Sequence, residues 1–474
     1  MGARTPLLSR FDLHEYQDRA IEFISNHARN HRSCAAWLDM GLGKTVIGLT
    51  AAKSLGAKVL VAAPLRVARD VWDDEIAQWS HLHGLTISKI VGTEKQRIAA
   101  LNTKADVHTI NRENLVWLRA HFLEQVGEYK WKQIERFPWD MLFLDEAQNY
   151  KSQSAHRHKV IWQFRNFFKP VIVELTGTPS PKGYEDIWGQ MLLVDGGARL
   201  GHTEDAYLTR WFDAPKMYEY GYTIKEHAAK EIQDLLRDVV VSMRAEDYLT
   251  LPPVLFNPVR VTLPPGALAA YKKFERSSLM TLNGKTITAV NAGVLHGKLL
   301  QAANGALYTG EGREYEIFHN EKVEALIELL ESLPKPVLIG YAYRHDLARI
   351  TAALERFCGK KKLWAVLKSA ASMKSFAGGL TSYGVVHPGS GGHGLNDLYL
   401  SGSENLVWFG LTDDLEMYQQ LNARLSGGHR RVGRNVVIHN IIARDTQDEE
   451  SLLLLASKDA TQNDLTRAMV RRYK

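Results

Sequence analysis

Short, unbroken apolar runs separated by stretches of helical periodicity constrain this chain more than any other feature. KVLVAAP (Lys58 to Pro64), VHTI (Val107 to Ile110), MLFLDEAQ (Met141 to Gln148) and VIVELTGTP (Val171 to Pro179) are the first series. Between the first two, Val71, Trp72, Ile76 and Trp79 fall on one face of a helix. A strand that is apolar on both faces cannot leave one of them in water, so the sheet it joins must be parallel and covered by helices on both sides. The pattern resumes at PKPVLIGYAY and continues through LWAVL, YGVVH, NLVWFG and NVVIHNII. The expected fold class is therefore α/β, with two tandem doubly wound parallel-sheet lobes. Residues 1–200 form the first lobe in this reading, and 201–252 a helical insertion (AYLTRWF, EHAAKEIQDLLRDVVVSM). The proline-rich LPPVLFNP and LPPG open a linker and helical region over 253–332, and 333–474 form the second lobe. Ligands of such sheets sit at the carboxyl ends of the strands.

Two stretches carry chemistry at such ends. In DMGLGKT, Asp39 to Thr45, Gly41 and Gly43 leave backbone N–H groups around Leu42 open to a polyphosphate, and the helix that follows turns its positive end toward it. Lys44 supplies a point charge for the β- and γ-phosphates of ATP, and the Thr45 hydroxyl is placed to hold Mg2+. Leu38 stands where the full phosphate-loop pattern has another glycine, which makes this the shorter GxGKT form. About 100 residues later, MLFLDEAQ ends in two adjacent carboxylates, costly at the end of a buried strand unless a cation sits beside them. Asp145 is the metal candidate and Glu146 the acceptor of a proton from attacking water. Gln17 in LHEYQDRAIEF can offer a donor and an acceptor to an adenine edge. Taken singly, each signal has an ordinary alternative: a glycine-rich helix cap, a solvated acidic helix start, a solvated helix glutamine.

Charge and cysteine content set the outer limits. A net charge of +6 permits a polyanionic partner without demonstrating one, and two cysteines far apart, Cys34 and Cys358, support no disulfide framework or cysteine zinc site. His27, His31 and Cys34 are not read as a metal cluster, because the segment runs from a helix into a strand with no fourth ligand near. The N-terminus lacks the apolar core of a secretory signal, and no apolar run reaches the roughly 18 residues of a membrane span, so a cytoplasmic protein is expected.

In order, LHEYQDRAIEF, LDMGLGKT, VLVAAPLRVARDVWDDEIAQW, LDEAQNYK, ELTGTPSPKGYEDIWGQMLLVDGG, VLIGYAY, GGHGLND and YQQLNARL resemble the motif series of superfamily-two helicases, specifically the Swi/Snf-like double-stranded DNA translocases in their lean bacterial or phage form. The resemblance implies two RecA-like lobes that use ATP and Mg2+ on double-stranded DNA. It implies that Thr176 to Thr178 link the ATP site to a DNA groove, that Gly394 and Asn396 belong to a motif sensing nucleotide and DNA backbone, and that Gln420 and Arg424 act on the nucleotide from the second lobe. DNA contacts are expected at Arg66, Thr109 to Arg112, Thr178 and Ser390 to His393. The clusters Lys360 to Lys362 and Arg467 to Lys474 are equally well read as solvated faces. Two departures stand out: Gln148 occupies a position more often histidine, and Gly427 stands where a second arginine is expected, leaving Arg430 or Arg431 to replace it. No nuclease or methylase motif is present, so such chemistry would belong to a separate nuclease, replication or recombination partner. A strand-separating helicase and a nucleotide-gated DNA clamp with little turnover are the other readings.

Overall fold

The apolar runs form strands within a computed structural model that describes residues 7–126, 137–214, 222–283, 289–309, 314–361, 363–389, 398–428 and 432–470. Chain contacts divide the molecule into two units, one holding residues up to Tyr248 together with those from Ala460 onward, the other Leu249 to Asp459.

In the first unit the chain runs α1 (Glu15–Arg29), β1 (Cys34–Leu38), α2 (Lys44–Leu55), β2 (Val59–Ala63), α3 (Trp72–Gln78), β3 (Ile87–Ile90), α4 (Glu94–Asn102), β4 (Val107–Asn111) and α5 (Leu115–Val126). It continues through β5 (Met141–Asp145), α6 (His156–Phe168), β6 (Val171–Thr176), α7 (Ile187–Asp195), α8 (Glu204–Trp211), the short pair β7 (Phe212–Asp213) and β8 (Thr223–Ile224), α9 (Ala228–Leu236), β9 (Val240–Met243) and α10 (Ala245–Tyr248). Seven strands make one sheet in the order β3-β4-β2-β5-β6-β1-β9, every neighbouring pair parallel. β1, β2, β5 and β6 are buried along their whole length, as strands covered on both faces must be. On one face Leu60, Ala62, Leu142, Leu144 and Ile172 pack with Leu118, Phe122 and Phe164 of α5 and α6. Ala35 and Trp37 of β1 pack with Trp188 and Met191 of α7 and with Ile232 of α9.

The second unit begins with β10 (Leu255–Val261), α11 (Pro265–Asn283), α12 (Ala289–Ala303), the antiparallel pair β11 (Ala306–Tyr308) and β12 (Tyr315–Ile317), and α13 (Glu321–Ser332). Then come β13 (Val337–Gly340), α14 (Arg344–Cys358), β14 (Trp364–Val366), α15 (Ala370–Ala377), β15 (Tyr383–Val386), β16 (Asn405–Trp408), α16 (Leu415–Ser426), β17 (Val437–Ala443) and α17 (Gln447–Val470). Its sheet is six-stranded and parallel, in the order β10-β17-β16-β13-β15-β14. The α/β class with two RecA-like parallel sheets is therefore what the chain adopts.

The structure corrects the reading of 201–252 as purely helical. β9 lies in that span and closes the first sheet beside β1. Its Val-rich run follows the apolar face of α9 with no glycine or proline between, so periodicity reads it as more helix. β10 likewise lies in the presumed linker. Its Pro258 has no N–H, and an edge strand is where a sheet tolerates that loss. Among the described residues no helix is long and apolar enough to cross a membrane.

Candidate nucleotide site

Strand order brings the chemical motifs together. β1, β6 and β5 are adjacent, with Trp37 beside Thr176 and Asp145 beside Leu175, so the loops leaving all three strands share one edge of the first sheet. The loop after β1 needs its glycines. Gly41 and Gly43 have φ of 86° and 83°, a region costly for residues with a Cβ, and a Cβ on Gly43 would lie 2.4 Å from the Gln17 amide nitrogen. Gly43 caps α2, so Lys44 and Thr45 open the helix whose positive end faces the loop. Lys44 Nζ donates to the Leu38 carbonyl at 3.1 Å, folded across its own loop. Gly177, just past β6, closes the other side: a Cβ there would sit 3.1 Å from the Leu38 oxygen and 3.3 Å from Lys44 Nζ.

Gln17 is 4% exposed and spends both ends of its amide inside the protein. Its Nε2 donates to the Leu42 carbonyl at 3.1 Å, and its Oε1 accepts the His14 N–H at 2.9 Å. The residue singled out as an adenine reader braces the phosphate loop in this structure.

Asp145 and Glu146 differ in burial and backbone. Asp145 is 9% exposed; burial first, and the neighbouring Glu146 charge second, push its carboxyl above the ordinary carboxylate range, while Lys44 pulls it back. Such a group gains from a cation. Glu146 takes left-handed backbone, φ 54° and ψ 59°, which a residue with a side chain adopts only when its surroundings enforce it. Gln148 supplies part of that enforcement: its Nε2 donates to Glu146 Oε2 at 2.9 Å and its Oε1 accepts the Thr176 hydroxyl at 2.6 Å. Thr176 Oγ1 in turn accepts the Thr178 N–H at 3.0 Å. Four residues from two loops thus form one hydrogen-bonded run. Sequence reasoning registered Gln148 as a departure and missed this role; the signal available was a side chain able to donate and accept at once, two residues past the carboxylate.

Two expected DNA contacts need correction, Thr178 and Thr109. Thr178 is 1% exposed with its hydroxyl enclosed, and Thr109 is fully buried, its hydroxyl donating to the Ala68 carbonyl, so neither side chain offers surface to DNA. Burial follows from position, since Thr109 lies inside β4 and Thr178 in the turn under Gln190, whose amide donates to the Pro179 carbonyl. Arg66 is half-buried just before the turn leading into α3, and Arg112, 22% exposed, pairs with Glu113 at 2.9 Å.

In the second unit, Gln420 and Arg424 are one turn apart on α16, and Gln420 Nε2 donates to Glu416 Oε1 at 2.9 Å. The helix ends at Ser426, before Gly427 and Gly428. Ser390, His393, Gly394, Asn396, Arg430 and Arg431 lie outside the described residues, as do Lys362 and the last four residues of the basic C-terminal cluster.

The oxygens of Thr45, in the first turn of α2, and of Asp145, at the end of β5, are of the hard type that suits Mg2+, an ion that takes few protein ligands and completes its shell with phosphate and water. The described residues contain no group of three or more His, Cys, Asp or Glu able to hold a metal.

A parallel sheet, a glycine-lined loop, a lysine opening the helix after it, and a buried Asp145 followed by a half-buried Glu146 are the features of the phosphate-loop α/β class. A family model for the SNF2-related domain matches residues 16–303, and the chain belongs to that family. Putative protein p41 of Acyrthosiphon pisum secondary endosymbiont phage 1 is 36% identical over 470 residues, covering 95% of this chain and 97% of its own length. Helicase swr1 of Emericella nidulans is 25% identical over 254 residues, which is 50% of this chain but only 14% of that protein. Among solved structures, the Sulfolobus solfataricus SWI2/SNF2 ATPase core in complex with dsDNA aligns with a TM-score of 0.42 at 16% identity, covering 99% of this chain and 96% of that one.

Proposed function

We propose that this protein is an ATPase stimulated by double-stranded DNA, and that it uses hydrolysis to translocate along the duplex. The observation that carries the reading is the hydrogen-bonded run from Glu146 through Gln148 and Thr176 to the Thr178 amide. It ties the carboxylate suited to accept a proton from water to the end of β6, so that a change on one side is felt on the other. Membership of the SNF2-related family supports the same reading.

In this reading the loop amides of Gly41 to Gly43 and the Lys44 ammonium bind the phosphates. Thr45 and Asp145 hold Mg2+, which neutralises phosphate charge when bound. Glu146 Oε2, already oriented by Gln148, positions the attacking water and takes its proton. Gln420 and Arg424 act on the nucleotide in this reading, Arg424 supplying positive charge to the γ-phosphate. DNA is held chiefly through its phosphates, so binding weakens steeply with salt and depends little on sequence.

A triplex-displacement assay tests the reading. ATP-dependent removal of a third strand from duplex DNA, with no separation of the duplex itself, is the expected result. Duplex unwinding would point to a strand-separating helicase, and DNA binding with negligible turnover to a clamp.

A further inference from the structure

Asp39, the residue that opens the phosphate-loop stretch, has no part in the chemistry described above, yet it sits in a closed circuit of contacts. Its N–H donates to the Met243 carbonyl at 3.0 Å, and its Oδ2 accepts the Ala245 N–H, the first of α10, at 2.9 Å. Arg244 stands beside the carboxylate and itself pairs with Glu246 at 2.7 Å. Three residues after Ala245, the Tyr248 ring packs on the Tyr16 ring, centroids 5.0 Å apart. Tyr16 precedes Gln17, whose amide returns to the phosphate loop at the Leu42 carbonyl. The loop is therefore gripped twice, by Asp39 at its start and Gln17 at its middle, and both grips meet at the corner formed by β9 and α10. Tyr248 is the last residue of the first unit before the chain crosses into the second.

We propose that Asp39 is a positioning residue for the nucleotide reaction: by accepting the Ala245 N–H it fixes the conformation of the phosphate loop and couples loop occupancy to the α10 corner, where the chain leaves the first unit. This rests on the loop being a nucleotide site. Two pressures act on Asp39 in opposite directions. Its charge lies near Lys44 and competes with phosphate for that ammonium, so a carboxylate there is a cost to binding. A retained acidic side chain is then explained by the hydrogen bond it makes, and the two effects are separable by substitution.

Asp39→Asn keeps an oxygen acceptor and removes the charge. Asp39→Ala removes both. Ala245→Pro leaves Asp39 intact and deletes only the donated N–H, at the first position of a helix, where proline is well tolerated. With the full chain, binding of a fluorescent ADP analogue and the KM and kcat for ATP are measured for each, together with amide hydrogen exchange across 244–250 with and without ADP. Loss of one buried hydrogen bond to a charged group predicts a rise of about tenfold in KM and Kd for Asp39→Ala and Ala245→Pro, with kcat within about twofold. Asp39→Asn is expected to bind as tightly as the parent or tighter. In the parent, ADP slows exchange at 245–248; in Asp39→Ala and Ala245→Pro it does not. A KM unchanged in Ala245→Pro overturns the proposal, as does Asp39→Asn failing to rescue binding. If the variants do not fold, the parent alone decides: exchange at 245–248 indifferent to bound ADP overturns it. A parent that binds no ADP analogue instead removes the nucleotide reading itself, a distinct outcome.

Discussion

Replacing Gln148 by leucine keeps approximate volume and deletes both hydrogen bonds that join Glu146 to Thr176. Gln148 is 1% exposed and Thr176 fully buried, so water does not readily replace what is lost. Glu146 forfeits a bond from an amide at 2.9 Å, and hydrogen bonds to charged groups are worth about 1.5–3 kcal/mol. If that bond holds the carboxylate in place as water is deprotonated, the loss falls on the chemical step, and at 1.4 kcal/mol per decade it is about 10- to 150-fold in kcat. Lys44 and the loop glycines are untouched, so KM for ATP stays within about twofold. Gln148→His retains one ring nitrogen to donate and one to accept, and is expected to keep turnover within about threefold of the parent. Steady-state ATP hydrolysis at saturating duplex DNA reads all three quantities. A Gln148→Leu protein with parental kcat, or one whose defect lies wholly in KM, would refute the claim that this run orients Glu146.

Three further outcomes follow from the packing. Gly177→Ala puts a methyl carbon 3.1 Å from the Leu38 carbonyl and 3.3 Å from Lys44 Nζ, and should raise KM for ATP at least about fivefold with little change in melting temperature; an unchanged KM would contradict the packing of that turn against the phosphate loop. Lys322 and Asp448 form an ion pair with neither side chain exposed, and Lys322 also donates to Asn304 Oδ1 at 2.8 Å. Lys322→Met should therefore destabilise by about 3–5 kcal/mol in urea unfolding, whereas Lys322→Met with Asp448→Leu should lose less than the sum of the single variants. Glu174 is fully buried in β6, neither carboxyl oxygen has a hydrogen-bond partner among the described residues, and burial raises its carboxyl well above 4.5. The folded state then keeps a proton that the unfolded chain releases, so its contribution to stability falls as pH rises above about 4.5 toward the folded value; Glu174→Gln should flatten the decline in stability between pH 5 and 8, and an identical pH profile would exclude the buried acid as its source.

What could be read from the residues alone divides along physical lines. Central strands such as Met141–Asp145 and Val171–Thr176 are buried on both faces, and continuous apolar runs announce them. Of the edge strands, only Trp364–Val366 lay in such a run. Ile87–Ile90 alternates in burial over only four residues, β9 merges with the apolar face of the preceding helix, and β10 carries a proline. The glycines, Lys44 and the acidic pair were legible because backbone approach and charge demand those residue types. The partners that orient them were not. Ala245 is 206 residues from Asp39 and Thr176 is 28 from Gln148, and no periodicity encodes contacts at such separations. The left-handed backbone of Glu146 was equally invisible, because nothing but the enclosing fold requires it.

The most direct measurement of the central claim is ATP turnover by the purified chain and by Glu146→Gln, with and without duplex DNA, alongside nucleotide binding. The parent should hydrolyse ATP slowly alone and many-fold faster with duplex DNA. Glu146→Gln, which keeps the size of the side chain and its place beside Gln148 but loses the proton acceptor, should bind ATP and stall in both conditions. Turnover by Glu146→Gln at the parental rate, or a parental rate indifferent to duplex DNA, would contradict the account.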